Sequence, residues 1–300
     1  QTRTRRTAVT RIPRGLAFDI ALAAGCLGLA PLAKKVVLAA GGRPVPLAIA
    51  ASGVATAVAL LVLWRADQGV RRLPPPRTLV HLALVGALGS GAVVLLSVEA
   101  MTATSATNRS LFQAMYPVAT ALTARVLLGE RPGRRAWLLI AVMVAGLLLM
   151  NAEGGRLVIN RAFWLLAATL PLVGLSDVYA RRTLADVRPR TVAAWRLAAG
   201  TAFLLCALPF AEAGSTAALR AHLPVVIIAG LAMAGGVLGL YRVMNRAGAS
   251  RAAAFAAFAP VVTAVAEVAL LDARFSLLQL TGLGVVVAAG ARLTATVRGD

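Results

Sequence analysis

The side chains able to do chemistry in this sequence are the few ionisable ones set among aliphatic neighbours. Asp177, Arg196, Glu267, His81 and Asp19 all fall within long apolar stretches. If those stretches cross a bilayer, a charge near the centre of one costs at least about 2.5–3.5 kcal/mol, so it is kept for pairing, gating or binding. Asp177 lies about one turn from the end of its stretch and Arg196 about two turns into the next. The two sit at one depth, which suits an ion pair acting either as a brace or as a gate for a charged solute. Glu99 ends one stretch, Asn108 and Arg109 begin the following one, and Glu267 lies deeper near the end of another. Glu99, Arg109 and Glu267 form a candidate gate at the opposite end. A carboxylate as dry as Glu267 is of the kind that titrates near neutral pH and couples a proton. His81 and Asp19 are candidate proton relays.

Uncharged polar groups supply a candidate binding surface. Gln113, Tyr116 and Thr120 are spaced by three and four, so they share one helix face beside Pro117. Ser90, Tyr179, Trp195 and Tyr241 could join them around a solute, or the whole set could serve interhelical hydrogen bonds. Pro117 and Pro260 each remove a backbone donor near the middle of an apolar stretch, giving a hinge or a fixed kink. Hydrolytic or metal chemistry lacks its parts. There are two His and two Cys, no HxxxH-like spacing and no phosphate-binding Gly-Lys motif, and Cys26 and Cys206 read as small core residues. No cofactor and no metal is expected.

The elements that must position these residues follow from composition. With 59% hydrophobic residues, 14% charged residues and a mean hydropathy of +0.81, lipid is the expected solvent. A hydrocarbon core about 30 Å thick needs roughly 20 apolar residues per helix. Charged and Pro/Gly-rich breaks divide the chain into ten such stretches, near 16–37, 46–64, 78–99, 104–127, 135–151, 162–181, 190–210, 223–243, 250–271 and 276–297. The polar, basic residues 1–15 precede them and are read as a cytoplasmic segment, with no cleaved targeting peptide.

A net charge of +20 raises nucleic-acid binding, but the basic residues are scattered through short loops with no aromatic stacking platform, and that class is excluded. Their distribution instead sets topology. With the N-terminus inside, most Arg residues fall in inner loops, including Arg71–Arg72, Arg134–Arg135 and Arg181–Arg182. Both termini are therefore expected in the cytoplasm. Lys34–Lys35 is placed at the outer end of the first helix and is the worst exception to this bias. Trp64, Trp137 and Trp164 fall near helix ends, as interface anchors do.

The second half of the chain repeats the first. Residues 101–128 align with 244–271, pairing Phe112 with Phe255, Pro117 with Pro260, Thr120 with Thr263 and Leu127–Leu128 with Leu270–Leu271. Five spans per half is an odd number, so the two copies, 16–151 and 160–297, enter the membrane from opposite faces. The segment ATSATNRSLFQAMYPVATALTARVLLGE at 103–130 and its copy AGASRAAAFAAFAPVVTAVAEVALLDA at 247–273 resemble the ten-helix EamA-type members of the drug/metabolite transporter superfamily. The first copy keeps the Leu-Leu-Gly-Glu ending as Glu130, whereas the second has Asp272–Ala273. The resemblance implies an all-α polytopic membrane protein with ten transmembrane helices built as two inverted five-helix repeats.

It further implies a secondary transporter of small organic solutes, such as amino acids, metabolites or drugs, by alternating access across the cytoplasmic membrane, with export as the common direction. Its partners would be the small-molecule substrate, membrane lipids and, in a coupled mechanism, protons, acting as a monomer or homodimer. A lipid or lipid-linked sugar flippase is the alternative within transport. An intramembrane enzyme lacks a convergent nucleophile or metal set, and a purely structural membrane protein would leave the duplication without purpose.

Overall fold

Each of the ten expected spans contains helix in the computed structural model, which describes residues 14–66, 74–130, 133–153, 156–210, 216–247 and 256–296. Residues 1–13 of the basic N-terminal segment lie outside the described residues. The side chains of 14–17, 241, 244–247 and 294–296 lie outside them too, and with them the expected solute contact at Tyr241.

The first half contains α1 (Arg14–Ala39) and α2 (Pro44–Ala66). Its third span is composite: α3 (Pro76–Gly86), a π-helical segment (Ala87–Ala92) and α4 (Val93–Ala100). The fourth is broken into α5 (Ala106–Ala114) and α6 (Tyr116–Leu128), and α7 (Arg134–Met150) is the fifth. A two-residue hairpin, β1 (Ala152–Glu153) with β2 (Arg156–Leu157), closes the half. The second half contains α8 (Arg161–Thr183), α9 (Pro189–Ala207), the short α10 (Ala217–Ala221), α11 (Leu223–Ala247), α12 (Ala259–Leu271) and α13 (Leu277–Thr296). Among the described residues, seven helical spans are long and apolar enough to cross a membrane unaided, and Ala259–Leu271 and Leu277–Leu293 are shorter apolar helices.

Local chemistry explains the boundaries. Pro76 and Pro189 open their helices, where a missing N–H has no intrahelical partner to lose. The side chains of Ser105 and Asn160 accept from Asn108 N at 2.9 Å and Phe163 N at 3.0 Å, capping α5 and α8. α6 ends at Gly129 with φ 70° and α12 ends at Asp272 with φ 51°, a left-handed turn at the same repeat position.

Pro117 and Pro260 do not kink continuous helices as expected. Each sits at the second residue of a new helix, after a turn at Met115 or Phe258. The carbonyl of Met115 accepts from Val118 N at 3.0 Å and Ala119 N at 3.1 Å, and that of Phe258 from Val261 N at 3.0 Å and Val262 N at 3.4 Å. A first-turn proline needs no donor, so the break leaves little unsatisfied in lipid.

Contacts between the halves come in symmetric sets. α2 packs on α9, α7 on α13 and α5 on α12, each joining equivalent spans. The larger remaining contacts occur in mirrored pairs: α1 on α11 matches the third span on α8, and α1 on α12 matches α6 on α8. This is the arrangement of two repeats about a pseudo-two-fold axis. Gly28 and Gly174 occupy matching seats: a Cβ on either would come within 2.8 Å of a backbone oxygen, Ala259 O or Ala119 O. The largest buried cluster joins Leu111, Phe112, Met115, Met143, Leu166 and Leu293. Outside it, Phe18, Val126, Leu138, Val265 and Leu270 are exposed, as lipid-facing residues should be.

Candidate functional site

Arg109, Gln113, Tyr116 and Thr120 form one half-buried stripe along the broken fourth span, while Phe112, Ala114, Met115, Val118 and Ala119 turn into the core. Spacings of four, three and four keep the stripe on one face across the break. At about 1.5 Å per residue it is roughly 16 Å long. Within it, Arg109 donates to the side-chain oxygen of Gln113. Each end of the stripe meets a cluster of charged groups.

The cluster at the Thr120 end joins three spans. Arg196 Nη1 donates to Asp177 Oδ1 at 3.0 Å, and Thr120 Oγ1 to Asp177 Oδ2 at 3.4 Å. Arg196 Nη2 also reaches Gly89 O at 3.4 Å, and Ser176 Oγ donates to Val85 O at 3.1 Å. These donors from α9 and α8 supply carbonyls at the π-helical segment, where the backbone departs from its α-helical pairing. His81 Nδ1 and Tyr179 Oη lie 2.6 Å apart, linking α3 to α8 next to the pair. Asp177 thereby joins spans four, six and seven.

Ser90 and Trp195, away from the stripe, pack against neighbouring helices. Ser90 is buried, and a Cβ on Gly200 would approach its Cβ to 2.7 Å, so it faces α9. Trp195 packs between two apolar clusters, one containing Ala59 and Leu63 and the other Leu82 and Val85. Gly86, Gly89 and Gly91 seat α8 and α9 closely, which is the packing role small residues serve in lipid. Asp19 is buried rather than wet. Trp64 and Trp164 are exposed near helix ends, and Arg125 lies 5.1 Å over the Trp137 ring. Cys26 and Cys206 are both free, and Cys206 is exposed on the outer face of α9 instead of in a core.

At the Arg109 end of the stripe Glu267 is 2% exposed and anchors the neighbouring repeat. Its Oε1 accepts from Ala106 N at 2.9 Å, and its Oε2 from Thr107 N at 2.8 Å and Thr107 Oγ1 at 2.6 Å. A carboxylate there answers the unpaired N–H groups and positive end of α5. Ser110 and Thr263 share a hydrogen bond of 2.9 Å, and Asn108 and Asn151 exchange amide bonds at 2.8 and 3.2 Å. Glu99 pairs instead with Arg161 at 3.2 Å on the surface. Arg109 and Glu267 thus belong to one end of the bundle, but they make no described hydrogen bond with each other.

Lys34 and Lys35 depart most from expectation. They lie in the last two turns of α1, and Lys34 is buried there, only 5% exposed. Lys34 Nζ reaches Met233 Sδ at 3.8 Å and Lys35 Nζ donates to Met101 O at 2.8 Å. Sequence reading passed over Lys34 because a double lysine resembles a helix terminus. The signal was the apolar run Val36–Ala39 beyond it, which extends the helix by another turn.

Among the described residues no group of His, Cys, Asp and Glu could hold a metal ion. What the arrangement offers is a half-buried polar path with charges at both ends and a helix break halfway.

The EamA-like transporter family matches residues 17–152 and again 161–294. A "Probable terminal-alkyne amino-acid exporter" of Streptantibioticus cattleyicolor is 32% identical over 222 residues, covering 72% of this chain and 73% of that protein. A solved crystal structure, 18% identical, superposes with a TM-score of 0.67 over 94% of this chain and 97% of its own, which speaks to the fold.

Proposed function

Because the chain belongs to the EamA-like transporter family, we propose that it is a secondary transporter exporting amino acids or closely related metabolites by alternating access. The observation that carries this reading is the Arg109–Gln113–Tyr116–Thr120 stripe, which crosses the break in span four and ends at Asp177–Arg196. The relative's printed activity supports an amino-acid-like solute, and a zwitterion suits a path that offers charged groups of both signs. The matching breaks at Met115 and Phe258 provide two bending points, one per repeat, about which the halves rock around a central solute. In this scheme Asp177–Arg196 closes the inner side, both termini lie in the cytoplasm, and the protein resides in the cytoplasmic membrane. Few fixed charges and short loops leave a gradient, of protons or of the solute itself, as the energy source.

The test is counterflow in proteoliposomes preloaded with a mixed pool of amino acids, with and without a proton gradient. Saturable uptake of one labelled class is expected, and a gradient that drives net accumulation would establish proton coupling. Absence of exchange by protein shown to be folded, across aromatic, aliphatic and cationic amino acids, overturns the reading.

A further inference from the structure

Along α8, Trp164, Ala168, Pro171 and Leu175 are exposed at spacings of three and four, which marks the face turned to lipid. At roughly 100° per residue, Asp177 projects about 150° from that face, into the bundle. Its side chain is nevertheless 33% exposed. Exposure on the inward side is exposure to a space between helices, the setting in which a charge within a span is tolerated. Thr120 borders the same space, being half-buried and across α6 from the exposed Leu122 and Val126. The two repeats differ at this point. Thr263 occupies the repeat position of Thr120 but is 0% exposed, and its hydroxyl reaches Gly28 O at 2.9 Å, Ala259 O at 3.0 Å and Ser110 Oγ at 2.9 Å. The position sealed in one repeat is left open in the other, and there it meets an acid. Asp177 Oδ1 is held by Arg196 at 3.0 Å, and that guanidinium is fixed in turn on Gly89 O. Oδ2 has the looser hold: Thr120 Oγ1 is 3.4 Å away, long beside the about 2.7–2.8 Å of an ordinary hydroxyl bond.

We infer that Asp177 Oδ2 is the seat for the ammonium of the transported solute. This rests on the transporter reading and adds the chemical group that the Thr120 end of the path recognises. A carboxylate has lone pairs enough to serve a guanidinium on one oxygen and an ammonium on the other. Arg196 keeps Oδ1 and is a positioning residue, while the Thr120 hydroxyl lies beside the incoming nitrogen. The rest of the solute extends along the stripe toward Tyr116 and Gln113. A solute whose nitrogen is acylated lacks the charge the seat requires and is rejected, whereas one whose nitrogen is alkylated keeps the charge and is accepted.

The experiment uses the full chain in proteoliposomes and measures counterflow of labelled L-phenylalanine, L-leucine and L-lysine, each in competition with its unlabelled N-α-methyl and N-α-formyl derivatives. The two derivatives add similar bulk, but only the first keeps a positive nitrogen. The expected result is exchange of at least one amino acid, inhibited by its N-methyl form and not by its N-formyl form. Asp177→Asn should then raise KM for that amino acid roughly ten- to hundredfold and erase the preference for N-methyl over N-formyl, which a merely structural role would leave intact. Asp177→Glu should recover part of the loss. Should Asp177→Asn not yield folded protein, the comparison of the two derivatives on the unmodified protein needs no variant. N-formyl forms competing as well as N-methyl forms, or a folded Asp177→Asn with unchanged KM and preference, would overturn the ammonium seat while leaving transport intact. Failure of the folded, unmodified protein to exchange any of the amino acids would overturn both.

Discussion

A single carboxylate, Glu267, ties the start of α5 to the opposite repeat. Removing it as Glu267→Ala leaves two backbone N–H groups and the Thr107 hydroxyl buried without an acceptor. The expected loss is about 2–5 kcal/mol, read as a lower melting temperature in detergent. Glu267→Gln should fall between, because its one carbonyl oxygen can serve only part of the set. The Asp177–Arg196 pair is different in kind, with side chains 33% and 18% exposed. Partial solvation limits its static worth to about 1 kcal/mol. A double-mutant cycle on Asp177→Asn and Arg196→Gln should therefore show modest coupling in stability and a larger coupling in transport rate. Coupling confined to stability would make the pair a brace.

Among the elements, spans three, four and nine carry irregular backbone, and spans six and seven hold that of span three in place. If the breaks at Met115 and Phe258 are bending points, Pro117→Ala with Pro260→Ala should lower turnover severalfold with little change in KM. Unchanged turnover would assign the prolines to packing alone. The seats at Gly28 and Gly174 make a second test: Val at either should cost about 1–3 kcal/mol through displaced backbone, measurable as reduced melting temperature. These elements were unevenly legible from residue order. Apolar length and Pro/Gly punctuation placed all ten spans, because lipid leaves the backbone almost no alternative to a helix. The repeat register was carried by Pro117/Pro260 and by Leu-Leu before the left-handed turns at Gly129 and Asp272. The faces of helices were harder to read. Ser90 packs on α9 and Trp195 between two apolar clusters, neighbours that residue order could not name, since a polar atom in an apolar run does not reveal its rotational setting. The positions of Lys34 and Glu267 depended on partners in distant segments, which local spacing does not encode.

Across the whole molecule, surface ion pairs assign the ends of the bundle. Arg161–Glu99 at 3.2 Å joins the end of span three to the start of span six, and Arg181–Glu130 at 3.3 Å joins the loop after span four to the end of span six. Glu99 and Glu130 therefore lie at opposite ends of α8. In a background with Cys26 and Cys206 replaced, Thr102→Cys should react with an impermeant maleimide from outside the cell, and Asp186→Cys only after permeabilisation. The reverse pattern would invert the topology without altering the fold. The hydrogen bonds that Ala106 and Thr107 donate to Glu267 span sequence separations of 161 and 160 residues. At roughly 5–20 residues per second of synthesis, the ribosome needs on the order of 10–30 s to deliver the acceptor after the donors have emerged. During that interval the newly inserted fourth span keeps its local Ser105 cap but holds the Ala106 and Thr107 N–H groups without their acceptor, so the nascent protein depends on bilayer water, or on whatever membrane machinery shelters it, until its second half arrives.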